Sequence, residues 1–161
     1  MRILVSTSIL FFLWMILTQS FHPQEIFTGL IVSAIIALIS PSVAGERVKN
    51  WFNPKRYFYL IIYLFYFAGE MIKSNIDVAK RVINPKLPIN PGIVKVKTKL
   101  KSRSGKLALA NSITLTPGTL TVDVVDQYFY IHWIDVETTD VEKASERIVA
   151  GFEKYLEVIF E

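Results

Sequence analysis

Two uncharged, largely apolar runs open the chain. The first covers Ile3–Thr18 and the second covers Ile26–Ile39, with a polar stretch of seven residues, Gln19–Glu25, between them. As helices rising about 1.5 Å per residue the runs would measure roughly 24 and 21 Å, somewhat less than the ~30 Å hydrocarbon core of a bilayer. Neither run has a polar stripe to face water. The pattern predicts a short membrane-embedded helical hairpin, and the second apolar run disfavours a cleaved signal peptide.

A third apolar run, Tyr57–Ala68, is dense in tyrosine and phenylalanine. Helical spacing of apolar and charged residues then continues past Glu70 to the Asn84-Pro85 stop, so we expect one long helix, apolar first and amphipathic later. Aromatic residues at this density are typical of the lipid headgroup boundary. The membrane-embedded helical part is therefore predicted to cover residues 1–84, with the third helix either crossing the bilayer or entering it partway.

Basic residues between the second and third runs indicate an orientation. This segment holds one acidic residue, Glu46, and four basic residues, Arg47, Lys49, Lys55 and Arg56. Cytoplasmic loops carry an excess of Lys and Arg. We expect a multi-pass protein of the plasma membrane whose C-terminal domain is cytoplasmic.

The pattern changes after the third helix. Prolines 85, 88 and 91 predict an extended linker over residues 85–92. From Ile93 onward apolar and polar residues alternate, with Val94, Val96, Thr98 and Leu100 on one side. This is the pattern of a half-buried strand. The other side carries only lysines: Lys95, Lys97, Lys99 and Lys101.

The remaining elements follow in the order helix, strand, strand, helix. A short helix is predicted from Lys106 to about Ile113, and a hairpin follows in which Leu120, Val122 and Val124 form the apolar side of one strand. Thr139 and Glu142 fit a capping box before a terminal helix, whose buried stripe runs over Val141, Ala144, Ile148, Phe152, Tyr155 and Ile159. Residues 93–161 are thus expected to form a small β-α-β-β-α domain of the α+β class, like a ferredoxin-type fold lacking its last strand.

Composition narrows the chemistry. The chain has no cysteine and two histidines, His22 and His132, which excludes disulfides, iron–sulfur clusters and thiolate zinc sites. We expect no cofactor and no bound metal. Eight basic residues between Arg81 and Lys106 come without an acidic residue, whereas residues 107–161 hold 3 basic and 10 acidic residues.

The lysine row has two interpretations. Such a row is often a solvated strand face, but basic groups beside a membrane helix also bind anionic lipid headgroups, at about 1 kcal/mol each. Nucleic acid is not an expected partner, because no aromatic stacking platform lies between the lysines.

Glu70 also has two interpretations. An ionisable group at membrane depth is a candidate for an ion path. Alternatively, Glu70 marks where the helix emerges among headgroups, since Lys73 and Asp77 follow within two turns.

The least ordinary stretch is ANSITLTPGT, residues 110–119. Its end, Thr116-Pro117-Gly118-Thr119, predicts a type II turn, because proline presets φ at the second position and glycine supplies a positive φ at the third. The polar side chains around the turn would bond either to turn backbone or to a partner chain; they belong to Asn111, Ser112, Thr114, Thr116 and Thr119.

This stretch, followed by LTVDV and by YIHWID at Tyr130–Asp135, resembles the E-type component of the Mrp (Mnh) multisubunit cation/proton antiporters. The resemblance extends along the whole chain and implies an accessory or assembly subunit of a sodium/proton antiporter, with other integral membrane subunits as partners. The same type of component resembles a membrane subunit of energy-converting hydrogenases and sulfane reductases. The motif positions that carry over are Asn111, Ser112, Thr114, Thr116, Pro117, Gly118, Thr119, His132, Trp133 and Asp135.

Three hypotheses follow. The first is a non-catalytic accessory subunit, and the second is a direct ion-path component that uses Glu70. The third, an enzyme using His132 and Asp135, is disfavoured because a spacing of three on a strand places the two side chains on opposite faces.

Overall fold

The computed structural model describes residues 2–40 and 53–161 and divides the chain into two compact units, Met1–Asn53 and Pro54–Glu161. Most of the basic segment behind the predicted orientation, including Glu46, Arg47 and Lys49, lies outside the described residues. The domain boundaries expected at residues 84 and 92 stay predictions.

The first unit contains two helices, α1 (Arg2–Thr18) and α2 (Pro23–Ile39). Small residues one turn apart on α2, namely Gly29, Ser33 and Ala37, are buried. The indole ring of Trp14 lies directly against Gly29, where any side chain would collide with it. The two helices approach closely because these positions are small.

The predicted membrane-embedded helical part is wrong. Within the described ranges, the structure contains no helix that combines the length and the apolarity needed to cross a membrane. Helices α1 and α2 have 17 residues each, which corresponds to about 25 Å at 1.5 Å per residue. The third helix, α3 (Pro54–Ile83), has 30 residues, but charged residues recur along it from Glu70 onward.

Tyr63, Tyr66 and Phe67 of α3 pack inside the second unit, whereas Phe58 and Phe65 of the same helix are exposed. Tyr63 stacks on Phe67 with ring centroids 6.1 Å apart, and Tyr66 contacts both Phe152 (5.8 Å) and Tyr155 (5.0 Å) of the C-terminal helix. Ring pairs at these separations are favourable contacts in protein interiors. Part of the aromatic density of α3 therefore reflects packing of this helix on α6.

Behind α3 a three-stranded antiparallel sheet is formed by β1 (Gly92–Lys97), β2 (Thr119–Val125) and β3 (Tyr128–Trp133), in the order β1-β3-β2. Helix α4 (Arg103–Leu115) connects β1 to β2, and α5 (Val141–Ile148) and α6 (Ala150–Phe160) follow β3. The element order differs from the prediction in one respect, because the terminal helix is interrupted at Val149.

The inner face of the sheet packs on the helices. Val94, Val96, Phe129 and Ile131 alternate toward this core and are buried. They join the buried side chains of the helices, which are Tyr63, Leu109, Ile113, Ala144, Ile148, Phe152, Leu156 and Ile159. The alternation predicted for β1 continues beyond the strand, since Thr98 and Leu100 are buried too.

Strand β2 departs from its predicted facing. Leu120, Val122 and Val124 are exposed, whereas Thr121 turns inward and donates its hydroxyl to the Ala110 carbonyl at 3.2 Å. Leu120 pairs with the exposed His132 and Thr121 pairs with the buried Ile131, so the apolar side of β2 faces outward. The register then shifts between Thr121 and Asp123, as in a β-bulge. The cap of α5 also differs from the predicted capping box: Asp140, not Thr139, accepts the Lys143 N–H at 2.9 Å.

A buried carboxylate holds the segment after β1. Glu153 of α6 accepts the Thr98 hydroxyl at 2.5 Å and the Lys99 backbone N–H at 2.6 Å. Glu161 accepts the backbone N–H groups of Lys101 and Ser102 at 3.0 and 2.8 Å. Carboxylates at the C-terminal end of the chain therefore satisfy backbone donors that no neighbouring strand reaches.

Candidate functional site

The turn between α4 and β2 has the geometry expected from its sequence. Gly118 has a φ of +92°, and the Thr119 N–H donates to the Thr116 carbonyl at 3.3 Å. A Cβ on Gly118 would lie 3.0 Å from Cγ2 of Ile134. Glycine is thus required both for the positive φ and for the close approach of the neighbouring chain segment.

The hydroxyls around this turn bond to the chain's own backbone. Ser112 donates to the Ala108 carbonyl (2.6 Å), Thr116 to the Ser112 carbonyl (2.8 Å) and Thr119 to the Ile113 carbonyl (2.7 Å). Thr114 accepts the Thr121 N–H at 3.2 Å. Of the two expected alternatives, turn backbone or a partner chain, these contacts favour the first.

Two further motif residues have different surroundings. The Ser112 hydroxyl is also hydrogen-bonded to the Tyr63 hydroxyl of α3, so this part of the motif ties α4 to the long helix. Asn111 is exposed on α4, which leaves its amide facing outward.

The second motif is distributed over two faces of the sheet. His132 is exposed on the outer face, whereas Trp133 is partly buried and packs against the core. Asp135 follows the strand and bonds to Arg81 of α3, not to His132. The two motifs meet through the backbone, because the Ile134 N–H donates to the Gly118 carbonyl at 2.9 Å.

Arg81 joins α3 to the end of the sheet. Its Nη1 donates to Asp135 Oδ2 at 2.5 Å and to the Pro88 carbonyl at 2.9 Å, and its Nε donates to Asp77 Oδ2 at 2.8 Å. Hydrogen bonds to Asp77 and then to Asp135 raise the pKa of the guanidinium further above its usual value. Sequence reasoning missed Arg81 as a site residue; the four-residue spacing from Asp77 to Arg81 was the available signal.

A cleft lies between α3 and the two motifs. Its inner part has a volume of about 170 Å³. It brings together Glu70, Thr116, Pro117, Gly118, Thr119, Trp133 and Asp135 with the unpredicted Asp77, Arg81, Glu137 and Arg147. A wider groove of about 640 Å³ continues along α3 past Lys73 and Lys80. The lysine row does not line either part.

Most charged groups of the cleft are paired. Besides the Arg81 contacts, Arg147 bonds to both carboxylate oxygens of Glu137 at 3.0 and 3.3 Å. Glu70 lies 3.8 Å from Lys73, with 32% of its side chain exposed. Within the described part of the chain no cluster of three or more histidines and carboxylates is arranged to hold a metal ion. Among these pairs, Arg81 with Asp135 joins α3 to the end of the sheet, whereas Glu70 with Lys73 lies within α3.

The four predicted lysines form one row along β1 and the segment after it. Lys97, Lys99 and Lys101 are exposed. Lys95 is half-buried, and its ammonium lies 3.9 Å from the ring centroid of Tyr128. This distance is that of a cation–π contact, so Lys95 is held to the sheet while the other three point away.

The fold and the cleft define a small α+β domain packed on one long helix, α3. Its two sequence motifs connect α3, the turn after α4 and the end of β3. Residues 7–159 match the model of the family described as Na+/H+ ion antiporter subunit, and the chain belongs to this family.

Individual relatives agree. The chain is 34% identical over 150 residues to the E component of the Na(+)/H(+) antiporter of Bacillus subtilis, covering 92% of this chain and 91% of that one. It is 38% identical over 126 residues to the corresponding antiporter component of Alkalihalophilus pseudofirmus, covering 77% of each. Among solved structures, a chain of the membrane-bound sulfane sulfur reductase, an archaeal respiratory membrane complex, is 52% identical over 99% of both chains, with a TM-score of 0.81.

Proposed function

We propose that this chain is a non-catalytic accessory subunit that completes a multisubunit Na+/H+ antiporter complex of the cell membrane. The family match over residues 7–159 carries the proposal. Relatives named as E components of Na(+)/H(+) antiporters, aligned over 77 to 95% of this chain, support it.

The accessory role is supported by what the motifs contact. The hydroxyls of Ser112, Thr116 and Thr119 bond to backbone carbonyls of α4 and its turn. The carboxylate of Asp135 is engaged by Arg81. These groups hold α3, α4 and β3 together, which supports a structural role for the two motifs.

Deletion of this subunit tests the role. We expect the remaining subunits to assemble poorly, so that both the amount of intact complex and Na+/H+ exchange in membrane vesicles fall. Normal assembly together with normal exchange in the deletion strain would exclude the accessory role.

A second host complex is favoured by one observation. Identity to the chain of the sulfane sulfur reductase complex is 52%, against 38% and 34% for the antiporter components named above. The alternative is therefore a membrane subunit of a related energy-converting respiratory complex. Purification of the tagged chain from its own host, with mass spectrometry of the subunits that accompany it, separates the two: antiporter subunits alone support the first, and redox subunits support the second.

Direct participation in an ion path depends on Glu70, which lines the cleft and is partly exposed. This second role predicts that Glu70→Gln assembles normally but loses transport. Wild-type exchange by an assembled Glu70→Gln complex would exclude the role. Glu137→Gln serves as control, because Glu137 is another partly exposed carboxylate that lines the same cleft.

The exposed lysines suggest contact with anionic lipid headgroups. Replacing Lys97, Lys99 and Lys101 together with glutamine should weaken binding to vesicles that contain an anionic phospholipid, with no change for neutral vesicles. Equal binding by variant and wild type would leave the lysines as a solvated face.

A cytoplasmic position of the C-terminal domain belongs to the same proposal. A reporter fused after Glu161 should be accessible only from the cytoplasmic side. Labelling of this reporter from outside intact cells would reverse the orientation.

A further inference from the structure

Helix α3 presents a second face that no other element of the unit Pro54–Glu161 covers. Its inner face packs on the domain through Tyr63 and Tyr66 and, further along, through Arg81. Positions spaced by three or four residues trace a stripe on the opposite side of the helix. The stripe consists of Phe58, Ile61, Phe65, Ala68, Ile72, Ile76, Ala79 and Ile83, and all eight residues are exposed.

The stripe is long and free of charge. From Phe58 to Ile83 it extends about 38 Å at 1.5 Å per residue. Its six large side chains are between 50% and 79% exposed. Together they present on the order of 600 Å² of apolar surface, at the upper end for a patch on a monomer and close to the ~800 Å² that one partner contributes to a standard interface.

The shape of the stripe fits a helix. Steps of three and four residues give a nearly straight ridge of the kind that packs into the grooves of another helix. Ala68 and Ala79 lie within the stripe and Gly69 lies beside it, and small residues allow two helix axes to approach closely.

Charged residues along the borders of the stripe indicate which charges a partner helix should carry. Lys73 and Lys80, seven residues apart, lie along one border of the stripe, and both are exposed. Lys73 also lies 3.8 Å from Glu70 of the same helix, and the neighbouring Asp77 is bonded to Arg81. The other border carries Leu64, Asn75 and Val82, without charge. A helix that covers the stripe would gain from carboxylates along one flank only.

We propose that this stripe of α3 docks an apolar helix of another subunit of the complex, one whose flank facing Lys73 and Lys80 carries acidic residues. The inference rests on the proposed function, because it takes the partner from the same complex. It adds the surface through which this chain joins that complex.

Charge introduced into the stripe tests the docking. In the Ile72→Glu, Ile76→Glu double variant the other subunits should copurify with the tagged chain about tenfold less or worse, since an unpaired charge buried at the centre of an interface costs at least that factor in affinity. Leu107→Glu is a matched control, because Leu107 lies on α4 and is 63% exposed, as is Ile72. It should copurify like wild type.

Folding is measured separately. Since all three substituted positions are exposed, the purified variants should keep the melting temperature of wild type within a few degrees. If the double variant copurifies like wild type, the docking surface is wrong while the proposed function stands. If the wild-type chain brings no other subunit with it, the proposed function itself fails.

Crosslinking identifies the occupant. The chain has no cysteine, so Ile76→Cys places a single thiol on the stripe and Leu107→Cys places one elsewhere. With a short thiol-reactive crosslinker in native membranes, Ile76→Cys should link to a helical segment of another subunit, and Leu107→Cys should not. A link to a second copy of this chain, to α1 or α2, or only to lipid would overturn the proposal.

The flanking lysines provide the last comparison. Lys73→Glu with Lys80→Glu should reduce copurification and reverse its response to salt, whereas Lys143→Glu, an exposed position on α5, should change neither. If the variant with Lys73→Glu and Lys80→Glu forms an unaltered complex, the partner helix does not carry acidic residues opposite these lysines.

Discussion

Gly118 occupies a conformation that few other residues adopt, at φ +92° and beside Ile134. Gly118→Ala should lower the free energy of unfolding by about 1–3 kcal/mol, from backbone strain and from the 3.0 Å contact its Cβ would make. Thermal and denaturant unfolding of the purified chain measures the loss.

Gly69 supplies the control. It lies inside α3, and a Cβ there would meet nothing within 4 Å. Gly69→Ala should therefore stabilise the chain by about 0.5–1 kcal/mol. Equal effects of the two substitutions would contradict the role assigned to the turn.

Asp135 is the second residue with a definite structural task. Asp135→Asn removes the negative charge opposite Arg81 and should destabilise the chain by about 1–2 kcal/mol, since both side chains are only partly exposed.

The exposed ion pair of Glu137 and Arg147 is the matched comparison. Its side chains are 49% and 66% exposed, so Glu137→Gln should stay within about 0.5 kcal/mol of wild type. If Asp135→Asn is equally harmless, Arg81 does not hold α3 to the sheet.

Local sequence signals decided which residues could be predicted. The proline and glycine at 117 and 118 predicted the turn because they act on their own backbone. The pairing of Arg81 with Asp135 was missed because the residues are 54 positions apart, and no local pattern reports which strand end a helix will meet. His132 and Asp135 were expected on opposite faces, and they have separate surroundings.

Among the elements, α3 shows why periodicity identified a helix but not what surrounds it. The aromatic run from Tyr57 was read as a lipid boundary, yet Tyr63 and Tyr66 pack against α6 and α4. An apolar helix face has the same sequence pattern whether lipid or protein covers it. Similarly, apolar alternation identified β2 as a strand but not which face its apolar side would take. Leu120 pairs with the exposed His132, so that side faces outward.

The contact between α3 and α4 is expected to respond to alkaline pH through Tyr63. Burial raises the pKa of its phenol above 10.0, and the hydrogen bond with Ser112 offsets this in part. Below pH 10 the phenol is protonated in both states. As the pH rises above 10, the unfolded chain loses the proton first, so stability falls until the folded pKa is passed.

Tyr63→Phe should therefore be less stable by about 1 kcal/mol at pH 8, through the lost hydrogen bond, yet lose less stability than wild type between pH 10 and 11. Ser112→Ala is the control, because it removes the same hydrogen bond and keeps the phenol. Between pH 10 and 11 the Ser112→Ala variant should lose stability at least as steeply as wild type. Unfolding curves at each pH measure this loss, and a shallower loss in Ser112→Ala would contradict the role of the Tyr63 phenol.

For the molecule as a whole, the family was predictable because its two motifs are contiguous and specific. The membrane assignment of residues 1–84 was wrong because hydropathy alone ranked three runs as lipid-facing, while the third run belongs with the C-terminal domain in the unit Pro54–Glu161. The division of the chain at residue 53 depends on tertiary packing, and sequence composition carries no information about that packing.

That division leads to a prediction for an isolated fragment. The buried cluster of the second unit draws all its members from Tyr63 to Ile159, so residues 54–161 contain a complete core. We expect this fragment to unfold cooperatively, with circular dichroism and near-ultraviolet signals changing together. A fragment from residue 93, which matches the predicted domain, lacks Tyr63 and Arg81 and should be less stable.

The uncovered stripe of α3 makes the same fragment a sensitive probe of the molecule's surface. With several hundred Å² of apolar surface exposed, fragment 54–161 should self-associate as its concentration rises, and Ile72→Glu with Ile76→Glu should keep it monomeric at an unchanged melting temperature. Sedimentation of both forms over a range of concentrations measures this. A wild-type fragment that stays monomeric at high concentration would show that the stripe is well tolerated by water, and would remove the physical reason for a partner helix to cover it.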